Sequence, residues 1–437
     1  MLPSNANLGT IMNCDHGMLL IASSADQTTP DEYSGLVGDM LDAHPGVFAL
    51  RVGNPDSVLY DTAVATSMDK HHMEVCLNAF LTDPGTGKKW MDEAYIRGLH
   101  GKLGAALGRL IELGADPLAL AAEAGKQRGV PVMASYRMNG EDNYDYTWML
   151  SDFGRAHPDC RIPLTPQEIA TLPEGCRQKQ WTGALDPARE EVYEHRMSIF
   201  REVAEKYDIA GIEFDFMRWN HMISDPLENH PILTKMVADT RRVLDEAAKR
   251  KGRDRMLLGV RVPPSIRTPP EEADYPGMEH AHQNTSCRDK GLDVETWVAN
   301  GHVDYVCPSL FWPQWPGKPH TAEFVALASG TNVGIYPTLF PKPPWLREPI
   351  GPEDRERLGR YKNEFCETAL HFHDDNPDGL STYNWHPSRP GAPARLDRVR
   401  DWGLGALNVQ MIMHTKLGDR ASIQTYLEQE EPLDSRS

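Results

Sequence analysis

Eight times along this chain a short apolar run alternates with a segment of helical periodicity, and no other feature limits the fold as strongly. The runs occupy residues 10–17, 47–52, 130–139, 211–219, 256–262, 303–310, 333–338 and 379–385. Strands separated by helices pair in parallel, because a parallel pair needs a crossover long enough to hold a helix. Eight such units are the count that closes a (β/α)8 TIM barrel, an α/β fold. An open doubly wound sheet would carry a glycine-rich first turn such as G-x-G-x-x-G; here the first run ends only in Asp15-His16-Gly17. At 437 residues the chain exceeds the roughly 250 such a barrel needs, and the surplus falls mainly after strands, as long βα loops. A single barrel domain over 1–437 follows, with its core over about 10–425 and a polar tail at 429–437.

Between the runs, 91–129 reads as two helices broken at Gly114 and Pro117, 187–207 as an amphipathic helix with Pro187 in its first turn, and 232–251 as a further helix. Residues 404–416 are a further strand candidate without a place in the barrel. The excursion 140–185, with Tyr144, Tyr146, Trp148 and Trp181, is too long for a plain connection and reads as functional.

The fourth run, Gly211-Ile212-Glu213-Phe214-Asp215-Phe216, splits its faces sharply. Ile212, Phe214 and Phe216 share one side, and Gly211, Glu213 and Asp215 the other. In a strand covered by helices the acidic side points inward, which costs free energy unless the acids have partners or a task. Paired structural acids are the plain alternative. A barrel brings the C-terminal ends of its strands to one rim. That rim would gather Asp15, Arg51, Arg137, Asn139, Glu213, Asp215, Arg218, Trp219, Arg261, Trp312, Tyr336, Tyr383, Asn384 and Trp385.

Paired carboxylates beside aromatic platforms suit carbohydrate. Glycoside hydrolysis needs one acid to protonate the leaving oxygen and one carboxylate to attack or stabilise the cationic anomeric centre. Glu213 and Asp215 lie two apart on one face, roughly 6 to 7 Å between α-carbons, close enough for one to raise the pKa of the other. The working assignment takes Glu213 as acid and Asp215 as nucleophile or base; a partner from another strand, Asp15 or Glu279, would serve equally well. For Arg51, Arg137, Arg218 and Arg261 two readings stand. They neutralise the acids as an internal ion-pair network, or they recognise a carboxylate or sulfate on an anionic sugar.

Composition excludes several other classes. With 45 Lys and Arg against 63 Asp and Glu, the net charge is −18, opposite to the basic stripes that nucleic acid requires. No stretch approaches the roughly 20 apolar residues of a membrane span. Seven scattered cysteines without a close pair point to reduced thiols and a cytoplasmic location, although a periplasmic or secreted chain trimmed of its export signal would read the same. The pairs His71-His72, His280/His282 and His371/His373 lack metal-ligand spacing, no G-x-S-x-G elbow occurs, and Cys307 reads as core. No metal or cofactor is expected. The expected partner is a carbohydrate substrate.

Four stretches taken together, Asn13-Cys14-Asp15-His16-Gly17, Arg137-Met138-Asn139, Gly211 to Trp219 and Val260-Arg261-Val262-Pro263, resemble a group of glycosyl-hydrolase-like TIM-barrel proteins related to the family-ten-like hydrolases of bacteria. The likeness runs in order over about 10–390. It implies a (β/α)8 fold, action on glycans, and the acids of the fourth strand in the site. The chain departs from it after Asn139, where Gly140 and Glu141 follow, and in a seventh strand without glutamate. Three functions are thus carried forward: a glycoside hydrolase on an oligo- or polysaccharide, with an anionic (uronic or sulfated) substrate as its finer form; a carbohydrate-binding barrel without catalysis; and a polysaccharide lyase with Tyr136, Tyr336 or Tyr383 as base.

Overall fold

The eight runs are strands, and their ring is closed. The computed structural model describes residues 7–69, 71, 93–138, 151–163, 166, 181–217, 221–267, 285–310, 317–340, 343, 345, 350, 354–383 and 414–429. The barrel strands are β1 (Thr10–Asp15), β2 (Val47–Asn54), β3 (Val132–Arg137), β4 (Gly211–Asp215), β5 (Leu257–Val262), β6 (Tyr305–Pro308), β7 (in two parts, Gly334–Ile335 and Thr338–Leu339) and β8 (Leu380–Thr382). Each pairs in parallel with its neighbours in chain order. β8 returns to pair with β1, Thr10 opposite Leu380. The two parts of β7 flank Tyr336 and Pro337; the first part pairs with β6 and the second with β8, so the ends of the sheet meet within one strand. Proline cannot donate to a ladder, and Pro337 sits where β7 changes partner.

Side-chain alternation divides the apolar residues into two layers. Ile11, Val47, Ala49, Met133, Tyr305, Cys307 and Tyr336 pack with Leu8 inside the barrel. Met12, Phe48, Leu50, Ala134, Ile212, Phe214, Leu258 and Val260 belong to the outer core beneath the helices. Two or four residues further along the inward series of β1 to β5 stand Asn13, Asp15, Arg51, Ser135, Arg137, Glu213, Asp215 and Arg261. The lumen is therefore apolar at the N-terminal ends of its strands and polar toward the other end.

The helices begin where local chemistry allows. α1 (His16–Ala22) starts directly at the end of β1, because the Asp15 side chain caps it by accepting from the Gly17 amide at 3.1 Å; the sequence reading extended the strand through both residues. α2 (Pro30–Leu41) has Thr29 as its cap. The expected break in 91–129 separates α3 (Glu93–Glu112) from α4 (Pro117–Arg128), which Asp116 caps and Gly129 ends with a left-handed backbone. Pro187 is not in the first turn of α5 (Glu190–Lys206): it lies in the preceding turn, where Asp186 accepts from the amides of Ala188 and Ser224. α6 (Pro226–Arg250) starts earlier than expected, with Pro226 in its first turn and Pro231 inside it. α7 (Val294–Ala299), α8 (Thr321–Ala328) and α9 (Arg355–His373) follow their strands, and α10 (Arg420–Glu428) packs on α9. Of the strand candidate 404–416 only 414–416 are described, and they are helical. The long excursion contains a hairpin of Arg161–Pro163 with Trp181–Leu185 that the sequence reading lacked.

Gly211 opens β4 against the backbone of β5. A Cβ there would stand 1.9 Å from the Leu257 carbonyl oxygen, so any side chain forces the two strands apart. Gly211→Ala is expected to destabilise the protein by about 1–3 kcal/mol, the usual range for overpacking, read as a lower urea midpoint with an unchanged slope.

Candidate functional site

Glu213 is held by side chains from three other strands. Register puts it beside Ser135 of β3 and Gly259 of β5. Ser135 Oγ donates to Oε1 at 2.8 Å, Asn13 Nδ2 of β1 to the same oxygen at 3.0 Å, and the Tyr305 hydroxyl of β6 to Oε2 at 2.9 Å. The residue is 1% exposed. Burial pushes its pKa above the ordinary glutamate value, and the charge of Asp215 adds to the rise; the hydrogen bonds from Ser135, Tyr305 and Asn13 oppose it, because they favour the carboxylate. No cation pairs with Glu213 among the described residues.

Asp215, one layer higher, is held differently. Arg261 Nη1 lies 2.6 Å from Oδ1 and 2.7 Å from Oδ2, and both side chains are 1% exposed. The Met217 amide also donates to Oδ1, at 2.9 Å. Arg261 is fixed in turn by Ser309, to which Nε donates at 3.3 Å, and by the Tyr383 ring, whose centroid lies 3.6 Å from the guanidinium carbon.

The third acid bridges two arginines. Asp15 accepts from Arg51 Nη1 through Oδ1 and from Arg137 Nη2 through Oδ2, each at 3.1 Å. Its side chain is 14% exposed, more than any of its partners. Arg137 Nη2 also donates to the Tyr383 hydroxyl at 3.2 Å. Tyr383 therefore joins the Asp15 pairs to the Asp215 pair, and the chain Arg51, Asp15, Arg137, Tyr383, Arg261, Asp215 spans six strand ends.

Of the residues expected at the rim, Asp15, Arg51, Arg137, Glu213, Asp215, Arg261 and Tyr383 come together. Asn139, Arg218, Trp219, Trp312, Asn384 and Trp385 lie outside the described residues, as does Glu279. Tyr336 is not at the rim: its ring packs in the apolar lower lumen and its hydroxyl accepts from the Leu8 amide at 3.0 Å, because β7 breaks at Pro337 just after it. Tyr136 faces the outer core, its hydroxyl 2.8 Å from that of Tyr60. Neither is positioned as a base for the lyase reading. Cys307 is core, as expected. The sequence reading omitted Asn13, Ser135 and Tyr305 from the site. Their signal was available, since Asn13 precedes Asp15, Ser135 precedes Arg137 and Tyr305 precedes Cys307 by two residues on an inward face.

The arrangement sets two carboxyl groups of one strand in unlike surroundings. Among the described residues, one is paired with a fixed cation, and the other is buried and held only by neutral donors. Groups of this kind divide the tasks of holding a proton and holding a negative charge.

No family model matches the chain, and no curated protein matches it. Among solved structures it is similar to the PgaB (BpsB) glycoside hydrolase domain from Bordetella bronchiseptica, at 12% identity over 90% of this chain and 99% of that one, with a TM-score of 0.45. It is also similar to alpha-L-fucosidase isoenzyme 2 from Paenibacillus thiaminolyticus, at 11% identity over 91% of this chain, with a TM-score of 0.42; the chain spans 48% of that protein. A third is an alpha-amylase from Malbranchea cinnamomea, at 12% identity over 96% and 77% of the two chains, with a TM-score of 0.40. Likeness at this level does not bear on substrate or mechanism.

Removing one member of a buried pair strands the other charge. Arg261→Met is expected to cost about 3–5 kcal/mol, and adding Asp215→Asn to that variant should restore most of the loss, both read by chemical denaturation.

Proposed function

We propose that this chain is a glycoside hydrolase acting on an oligo- or polysaccharide, with Glu213 as proton donor and Asp215 as the carboxylate that attacks or stabilises the anomeric centre. One observation carries the reading: Glu213 is buried, has a raised proton affinity and lacks a cation among the described residues, while Asp215 on the same strand is matched by Arg261. In hydrolysis, Glu213 gives its proton to the departing glycosidic oxygen, and the negative charge of Asp215 offsets the charge that grows on the ring carbon. Arg261, braced by the Tyr383 ring, keeps Asp215 from turning away. An anionic unit, uronic or sulfated, is the finer form of the substrate, and it rests on the guanidinium groups of Arg51, Arg137 and Arg261 beside the site. Their pairing with Asp15 and Asp215 supports the neutralising role equally well.

The second reading, a carbohydrate-binding barrel without catalysis, is favoured by the 1% exposure of both acids. A panel of neutral, uronic and sulfated glycans separates the two. Hydrolysis predicts reducing-end release that falls about 10²- to 10⁴-fold in Glu213→Gln and comparably in Asp215→Asn. Release that survives both changes, or that wild type never shows, ends the hydrolase reading.

The pH profile has a definite sign. A proton donor works in its protonated form, so kcat/KM should fall as pH rises through the Glu213 pKa, with the alkaline limb above the ordinary glutamate value of about 4.3. Glu213→Gln should abolish that limb. For the anionic substrate, Arg137→Ala should lose any preference for charged over neutral glycans; an unchanged ratio of kcat/KM values would sink that part.

A further inference from the structure

A side chain on the intervening strand would bar Tyr305 from Glu213, and a glycine there leaves the way open. Register pairs Tyr305 of β6 with Gly259 of β5, and Gly259 with Glu213 of β4. The three lie in one row across the lumen. A Cβ on Gly259 would stand 1.9 Å from the Tyr305 ring carbon that bears the hydroxyl, and 2.3 Å from the oxygen itself. The phenol thus occupies the space a side chain at 259 would fill, and its hydroxyl meets Glu213 Oε2 at 2.9 Å. The ring is fully buried and braced edge-on by Tyr336, at 6.1 Å between centroids and 88°. Tyr336 is itself tied to Leu8 at the base of the barrel.

We propose that Tyr305 is the positioning residue for Glu213: through the gap left by Gly259 its hydroxyl fixes Oε2, leaving Oε1 to Ser135 and Asn13, and so sets the orientation and proton state of this carboxyl group. The consequence for catalysis rests on the hydrolase reading, but the positioning itself does not. The ionisable groups that act on Glu213 are Asp215 on its own strand and Tyr305 on β6; the Cys307 thiol of β6, which stays protonated, feels the charge of Glu213, and Arg261, one layer above on β5, is paired with Asp215. Burial and the neighbouring carboxylate hold the Tyr305 phenol well above its ordinary pKa, so it remains a donor throughout the range in which Glu213 titrates. Only one side of the pair then changes its charge.

The test reads the carboxyl group directly. The pH-dependent infrared signal of Glu213, assigned by its absence in Glu213→Gln, is followed in wild type, in Tyr305→Phe and in a protein carrying 3-fluorotyrosine at 305. Loss of the hydroxyl removes a bond that favours the carboxylate, so the Tyr305→Phe midpoint should rise by about one pH unit. The more acidic fluorophenol donates more strongly and should move the midpoint down. Gly259→Ala, which displaces the ring, should shift it in the same direction as Tyr305→Phe. Opposite shifts in the first two proteins establish the positioning role, and a midpoint unmoved in both overturns it, whatever their stability or activity. Should wild type hydrolyse no glycan while the midpoints still move, the hydrolase reading fails and the role of Tyr305 stands.

Discussion

Charge inside a closed barrel is the constraint from which the rest of this structure follows. Asp15, Asp215 and Glu213 bring three carboxyl groups inside the ring of strands, and Arg51, Arg137 and Arg261 bring three guanidinium groups within the same few strand ends. A lone buried ion is far too costly to persist. The pairing of Asp215 with Arg261 and of Asp15 with two arginines is what makes the polar half of the lumen compatible with folding. Arginine suits this role where lysine would not, because its planar fork serves several acceptors at once. Arg261 uses that fork to hold Asp215 and Ser309 while its face lies on Tyr383.

The apolar half of the lumen is the complement of that arrangement. Ile11, Val47, Ala49 and Met133 fill the N-terminal end of the barrel with apolar side chains, and the Tyr336 hydroxyl beside them is taken up by the Leu8 amide. Glu213 sits between the two halves, and its surroundings are accordingly mixed: neutral donors on both oxygens and an apolar layer beneath. Both acids are equally buried, so what makes Glu213 differ from Asp215, two residues further along the same strand, is its partners: Arg261 holds Asp215, and Ser135, Asn13 and Tyr305 hold Glu213.

Much of this was legible in the sequence because a strand has period two. The faces of β4 could be read off Ile212, Phe214, Glu213 and Asp215 directly, and the same alternation put Arg51, Arg137 and Arg261 on inward faces. The alternation of apolar runs with helical segments gave the barrel for the same reason. Tyr336 was misjudged because an inward residue can sit at either end of the lumen, and alternation does not report depth. Tyr305 was overlooked because its reach depends on an absence: a glycine on the adjacent strand, 46 residues earlier in the chain, cannot be matched to it until register is known. The start of α1 at His16 turned on whether the Asp15 side chain caps a helix as well as meeting the arginines. In the structure it does both, and period-two reading has no means of anticipating a residue that serves two elements.

The double use of Asp15 and the single use of Glu213 point in one direction. Asp15 caps α1, bridges two arginines and is the most exposed of the three acids, so a change in its charge would disturb a helix and two ion pairs together. Asp215 is similarly committed, through Arg261 and the Met217 amide. Among the described residues Glu213 alone is held wholly by neutral donors, of which Ser135 and Tyr305 offer hydroxyl groups that also have acceptor capacity. A carboxyl group in that setting can gain or lose a proton without breaking an ion pair, since the hydroxyl of Ser135 can turn from donor to acceptor as the proton arrives. Of the three acids it is the one whose charge the fold leaves free to change, which is the freedom that the proposed role of proton donor requires.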